Sequence, residues 1–130
     1  MKKFLKYHLP LILYAALILG VSSISNLKSP QVRFLAVDKV AHFLEYAVFA
    51  FLTFRSMSRL TDWSRSRTPF LISLLILAVF AVLDETLQSF IPGRNPDVID
   101  YLSDLSGGIL VLGLLWFAAA QNRRSKQGLN

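Results

Sequence analysis

The sequence has no cysteine, which excludes a disulfide framework, a thiolate nucleophile, an iron–sulfur cluster and a cysteine zinc site. Charged residues are few, at 17%, whereas 54% of the residues are hydrophobic and gather in long runs. A soluble core would show apolar residues in alternating or one-sided patterns instead. The composition therefore predicts an all-α, polytopic membrane protein. Its 130 residues give room for about four transmembrane helices of roughly 20 residues in a single domain, 1–130, and for no second domain.

The basic residues lie at the ends of the apolar runs, although the net charge of +6 would also fit a nucleic-acid binder. A nucleic-acid binder needs its basic residues clustered on a solvated face, so we expect membrane lipids and no nucleic acid as partners. Placing the N-terminus, the 55–67 segment and the basic tail 121–130 on one side collects ten of the 14 Lys and Arg residues. By the positive-inside rule, that side and both termini are cytoplasmic.

Four helices are expected from the apolar runs and their flanking prolines. The first apolar run also resembles a secretory signal, but three further apolar segments favour its retention as a transmembrane helix. Segments 22–37, 55–67 and 91–96 are predicted to be connectors. The second and third helices have about 15 apolar residues each, or ~22 Å, so their polar ends should lie just inside the outer interface. The predicted helices are Leu9–Val21, Asp38–Phe54, Pro69–Gln88 and Asp97–Ala120.

Polar residues concentrate at the outward ends of the last three helices, where seven of the eight acids fall. Helical spacing places Asp38, His42 and Glu45 on one face, and it gives the start of the fourth helix an acidic face. One outward-facing site should therefore gather side chains from three helices and a loop. The candidate ligand-binding residues are Asp38, His42, Glu45, Glu85, Gln88, Arg94, Asp97, Asp100 and Asp104.

Three roles remain open for this cluster. Crowded carboxylates share protons or bind a cation, so a divalent cation is a candidate cofactor, although the spacing lacks the two-histidine signature of a zinc hydrolase. In an acid–base site, the candidate catalytic residues are Glu85, Asp100 and His42. As packing contacts, interhelical polar pairs contribute roughly 1 kcal/mol each. Seven acids exceed what helix register requires, so we expect a functional site.

Three sequence patterns, spread from about Asp38 to Gly113, carry a family resemblance. They are Asp38-Lys39 with His42-Phe43 and Tyr46; Asp84-Glu85 with Gln88 and Phe90; and Ile91-Pro92-Gly93-Arg94 with Asp97, Asp100 and Gly107. In order and spacing they resemble the VanZ-like family of small bacterial membrane proteins. Asp104 stands where we expect that family's pattern to have Asn, which adds an acid.

This resemblance implies a multi-helix protein of the bacterial inner membrane, named for a member linked to resistance to the glycopeptide teicoplanin. Teicoplanin-type drugs carry an acyl chain and bind a peptidoglycan precursor outside the membrane. An outward polar site at the lipid interface is consistent with that phenotype.

Three functional hypotheses follow. The first is a cell-envelope factor that acts on a lipid-linked or amphiphilic ligand, such as a lipoglycopeptide. The second is an interfacial enzyme, with or without a metal, that modifies a lipid head group. The third is a small accessory subunit of a membrane complex. A transporter is disfavoured because the chain is short and its acids lie at one end. The sequence does not determine the oligomeric state.

Overall fold

A computed structural model describes residues 1–25, 33–60, 67–92 and 97–127 of the chain. Within these ranges the protein is helical and has no strand, as the all-α prediction requires. The helices are α1 (Lys2–Tyr7), α2 (Leu9–Ser22), α3 (Arg33–Leu60), α4 (Thr68–Ser89) and α5 (Val98–Gln127).

The first predicted helix, Leu9–Val21, is confirmed as α2 with one further residue at its C-terminus, and the short helix α1 precedes it with His8 between the two. The His8 amide donates to the Phe4 carbonyl at 2.9 Å, and the His8 carbonyl accepts from the Ile12 amide at 3.1 Å. Pro10 lies in the first turn of α2, where its missing N–H removes no helical hydrogen bond. The basic segment before the apolar run is thus itself a short helix.

Helix α3 is longer than predicted at both ends. It begins at Arg33 and ends at Leu60, so residues 33–37 and 55–60 are helical and their prediction as connectors was wrong. No glycine or proline occurs between these ends. Arg59 in the last turn is also favourable at the negative end of the helix dipole. The 28 residues span about 42 Å, more than the ~30 Å hydrocarbon core of a bilayer.

The other helices follow the prediction more closely. Helix α4 covers Thr68–Ser89, which differs from the predicted range by one residue at each end. Helix α5 starts one residue after Asp97 and continues through 121–127, part of the predicted basic tail. The predicted connector residues 26–32, 61–66 and 93–96 lie outside the described ranges.

The core forms around α3, which packs mainly on α5 and also contacts α4 and α2. Tyr46 and Phe49 of α3 are buried and stack edge to face, with ring centroids 5.9 Å apart. Phe80 of α4 packs on Phe49 with a centroid separation of 4.5 Å. Ile18 of α2 and Leu112 of α5 complete this core, which therefore joins the four longer helices.

Two glycines set a close approach of α5 to its neighbours. A Cβ atom added at Gly107 would overlap the backbone carbonyl of Phe43, and one added at Gly108 would overlap the Leu77 side chain. Small residues permit such backbone contacts between helices. Both glycines thus serve close helix packing, whereas the neighbouring Ser106 is exposed.

Much of the outer surface is apolar. Residues Thr68–Ser89 and Val98–Gln121, with mean hydropathies of 2.3 and 1.7, are long and apolar enough to cross a bilayer. Helix α2 is apolar but shorter, and polar residues interrupt α3. Large exposed side chains on α4 and α5 include Leu71, Leu75, Val79, Leu110, Leu114 and Phe117. Such a continuous apolar surface is typical of contact with lipid.

Candidate functional site

The buried polar side chains gather at one end of the bundle, here called the polar end. It consists of the first part of α3, the last turns of α4 and the first turns of α5. Because the end of α4 leads to the start of α5, the two acidic helix ends are adjacent. The buried members of the polar end are His42, Asp84, Glu85, Gln88, Asp100 and Asp104.

An ion-pair cluster links α3 to the beginning of α5. The ammonium of Lys39 donates to Asp97 Oδ2 at 2.7 Å and also to Asp100 Oδ1. Asp97 caps α5, because its Oδ1 accepts from the Ile99 amide at 2.9 Å. The Asp97 amide donates to Glu85 Oε2 at 3.0 Å, which adds α4 to the cluster. One cation and three carboxylates thus hold three helices together.

A second, deeper group lies where α3, α4 and α5 converge. The Nδ1 atom of His42 lies 3.0 Å from Asp104 Oδ1. One ligand-type atom from each of His42, Asp84 and Asp104 lies within 4.8 Å of the other two. Both aspartates have no exposed surface, and His42 is 8% exposed. We call these three residues the inner triad.

Several buried polar atoms around the inner triad have no hydrogen-bond partner in the described part of the chain. They are Tyr46 Oη, Glu85 Oε1, Gln88 Nε2 and Asp104 Oδ2. A buried polar atom without a partner costs free energy. Hydrogen-bonding capacity therefore remains for a ligand, an ion or water at this point.

The structure brings most of the predicted site residues together, with differences at the margin. Asp38 is exposed, but its carboxylate lies within 4.8 Å of ligand atoms on His42 and Asp100. Glu45 is half-buried at the edge of the packed face of α3, and its backbone carbonyl accepts from Tyr14 Oη at 3.2 Å. Arg94 lies outside the described residues.

The predicted site list omitted Lys39, Asp84 and Tyr46. Lys39 is one of only four basic residues assigned to the outward side. Because many acids are assigned to the same side, Lys39 could have been predicted to be a counter-ion for them. Asp84 directly precedes Glu85, and helical spacing puts it one turn before Gln88. Tyr46 follows His42 by one turn, but an aromatic residue in an apolar helix is usually a packing residue.

A groove of about 480 Å³ lies beside the cluster, between the end of α4 and the start of α5. It reaches the outer surface of the bundle, because Val82 and Val98 are 52% and 73% exposed. The α4–α5 groove thus combines apolar walls with a carboxyl group whose Oε1 has no partner among the described residues. Its lining residues are Val82, Glu85, Thr86, Ser89, Asp97, Val98 and Tyr101.

These features define an all-helical protein with lipid-type outer surfaces and a buried acidic site at one end of the bundle. A family model described as VanZ/LLP1 matches residues 4–119, and the chain belongs to this family. The match extends the resemblance seen in the sequence to α1 and α2, and together with the two long apolar helices it indicates a membrane protein. Comparison with curated proteins and with solved structures gave no significant match.

Proposed function

We propose that this VanZ/LLP1 protein crosses the bacterial inner membrane four times, through α2, α3, α4 and α5, with both termini in the cytoplasm. The end of the bundle opposite the polar end is basic. There Lys6, Arg55 and Arg59 lie within 5.5 Å of the Tyr7 ring centroid, and Arg67 lies 5.5 Å from the Trp116 centroid. By the positive-inside rule, this basic end faces the cytoplasm and the polar end faces outward.

In this orientation the protein acts as a cell-envelope factor that binds a lipid-linked or amphiphilic ligand. The observation that carries this proposal is the α4–α5 groove, which opens beside the exposed Val82 and Val98 and is lined by Glu85. Apolar walls suit an acyl chain, and the nearby carboxyl and hydroxyl groups suit a polar head group. A purely structural polar cluster requires no such opening to lipid.

The family resemblance supplies a ligand class to test. Lipoglycopeptides such as teicoplanin, and the lipid-linked peptidoglycan precursors that they recognise, are amphiphiles of the outer leaflet. We propose that the protein lowers sensitivity to teicoplanin by binding one of these amphiphiles at its polar end.

The test compares teicoplanin sensitivity in a strain that lacks the protein, complemented with wild type, Glu85→Gln or Asp100→Asn at equal membrane levels. We expect protection by wild type and its loss in both variants. Thr68→Ser, at the basic end, is the control and should protect fully. Protection by all three variants would refute an acidic binding site, and no protection by wild type would refute the link to teicoplanin.

The topology is tested separately, and the absence of native cysteine makes this simple. Phe90 at the polar end and Leu60 at the basic end are 77% and 65% exposed. In intact cells a membrane-impermeant thiol reagent should label Phe90→Cys and leave Leu60→Cys unlabelled until the cells are opened. The opposite pattern would invert the proposed orientation.

A further inference from the structure

We propose that the inner triad of His42, Asp84 and Asp104 binds a divalent transition-metal ion of the Mn²⁺ or Zn²⁺ type. This inference deepens the proposed function, because it places a cation beside the ligand groove at the same polar end. It rests on the arrangement of the three side chains and on an unpartnered carboxylate oxygen in their midst.

The geometry is close to that of a metal site. The three ligand-type atoms come from three different helices and lie within 4.8 Å of one another. Ligands held at ~2.1 Å from a common ion lie roughly 3–4 Å apart. The observed limit of 4.8 Å is thus close to the separation expected in a metal site.

The second observation is the unpartnered oxygen of Asp104. Its Oδ1 pairs with His42, which turns the carboxylate toward the triad, whereas Oδ2 has no hydrogen-bond partner in the described ranges. Asp104 has no exposed surface. A buried carboxylate is strongly destabilising unless it is paired or bound to a metal. An ion held by the triad gives this oxygen its missing partner.

The donor set indicates the kind of ion. Imidazole nitrogen favours borderline transition metals, whereas Mg²⁺ and Ca²⁺ prefer sites made of oxygen alone. Three protein ligands leave coordination positions for water or for an oxygen of an anionic head group. Asp84 precedes Glu85, which lines the α4–α5 groove, so the ion would lie close to a ligand held there.

A second possible cation group shares His42 and consists of Asp38, His42 and Asp100. It is the weaker candidate, because Asp38 is exposed and Asp100 is occupied by Lys39. This difference provides a matched control. Asp38→Asn removes a carboxylate of the competing group and leaves the inner triad intact.

The experiment uses the full-length protein in nanodiscs of zwitterionic lipid, titrated with Mn²⁺ and followed by electron paramagnetic resonance. We expect one tightly bound Mn²⁺ per chain in wild type and in Asp38→Asn, and at least a tenfold weaker affinity in Asp84→Asn and Asp104→Asn. Thermal unfolding should show Mn²⁺ and Zn²⁺ stabilising wild type more than Mg²⁺ does. Absence of tight binding by folded wild type, or wild-type affinity in Asp104→Asn, would overturn the proposal.

A spectroscopic measurement on wild type covers the case in which a variant fails to fold. The chain has only two histidines, and His8 bonds Ser56 at the opposite end of α3. Bound Mn²⁺ should therefore show coupling to one imidazole nitrogen, which persists in His8→Gln. A Mn²⁺ signal without nitrogen coupling would refute the site. Metal binding is measured without teicoplanin or any groove ligand, so its failure is distinguishable from failure of the proposed function.

Discussion

His42 and Asp104 are 62 positions apart in the sequence, yet their side chains meet at 3.0 Å in the buried interface between α3 and α5. The pair lies next to the close contact between Gly107 and the Phe43 backbone, since Phe43 follows His42 and Gly107 comes one helical turn after Asp104. The close packing of the two helices and the polar contact between them are therefore parts of one interface.

The first prediction concerns Gly107. Gly107→Ala should lower the free energy of unfolding by about 1–3 kcal/mol, because the added methyl group must displace the Phe43 backbone. Unfolding by SDS in mixed micelles gives the measurement. Gly113→Ala is the control, since a Cβ atom there meets nothing within 4 Å. Equal losses in the two variants would show that the interface tolerates the methyl group.

The second prediction concerns Lys39. Lys39→Met should destabilise the protein by about 1.5–3 kcal/mol, because it removes the ammonium group that bonds both Asp97 and Asp100. In a double-mutant cycle, Asp97→Asn should cost less in the Lys39→Met background than in wild type. Additive losses would mean that the observed ion pair has no energetic coupling.

The third prediction compares two buried serines. Ser56 Oγ lies 2.6 Å from His8 Nδ1 and so ties the N-terminal helices to α3, whereas Ser73 Oγ bonds the Pro69 carbonyl within its own helix. Ser56→Ala should cost about 1 kcal/mol more than Ser73→Ala, because only the first change removes a contact between helices and leaves a polar atom unpaired. Faster proteolysis near His8 in Ser56→Ala should accompany the loss. Equal stabilities would contradict this role for Ser56.

The fourth prediction concerns the α4–α5 groove. Val82→Trp should fill the groove and reduce ligand-dependent protection at least tenfold, while the fold is retained because the residue is half exposed. Val79→Trp makes the same change one turn away, at a residue of similar exposure that does not line the groove. Drug sensitivity and membrane level should be measured for both. Full protection by Val82→Trp would exclude the groove as the binding site.

The helix cores and the location of the polar end could be predicted because they depend on long apolar runs and local spacing. The ends of α3 could not, since Arg33, Arg55 and Arg59 were taken for connector charges. A helix extends into such residues when nothing breaks it and its ends reach the polar interface. Charged residues therefore marked the edge of the apolar region and not the end of the helix.

The sequence predicted which residues belong to the site better than it predicted which of them contact one another. Helical spacing shows which residues share a face, but the rotation of that face toward its neighbours depends on packing. The prediction aligned Glu45 with His42, whereas the packed face centres on Tyr46 and leaves Glu45 at its edge. Likewise, the sequence does not reveal that Lys39 reaches across to the start of α5.

The backbone contact at Gly107 has a mechanical consequence. No side chain separates the α5 backbone from the Phe43 carbonyl. The contact therefore has no flexible side chain that could adjust when one helix is displaced. A shift of α5 by about 1 Å away from α3 would stretch the His42–Asp104 contact beyond hydrogen-bond range. Any displacement of α5 away from α3 would thus be transmitted to these two buried side chains by rigid movement of one helix.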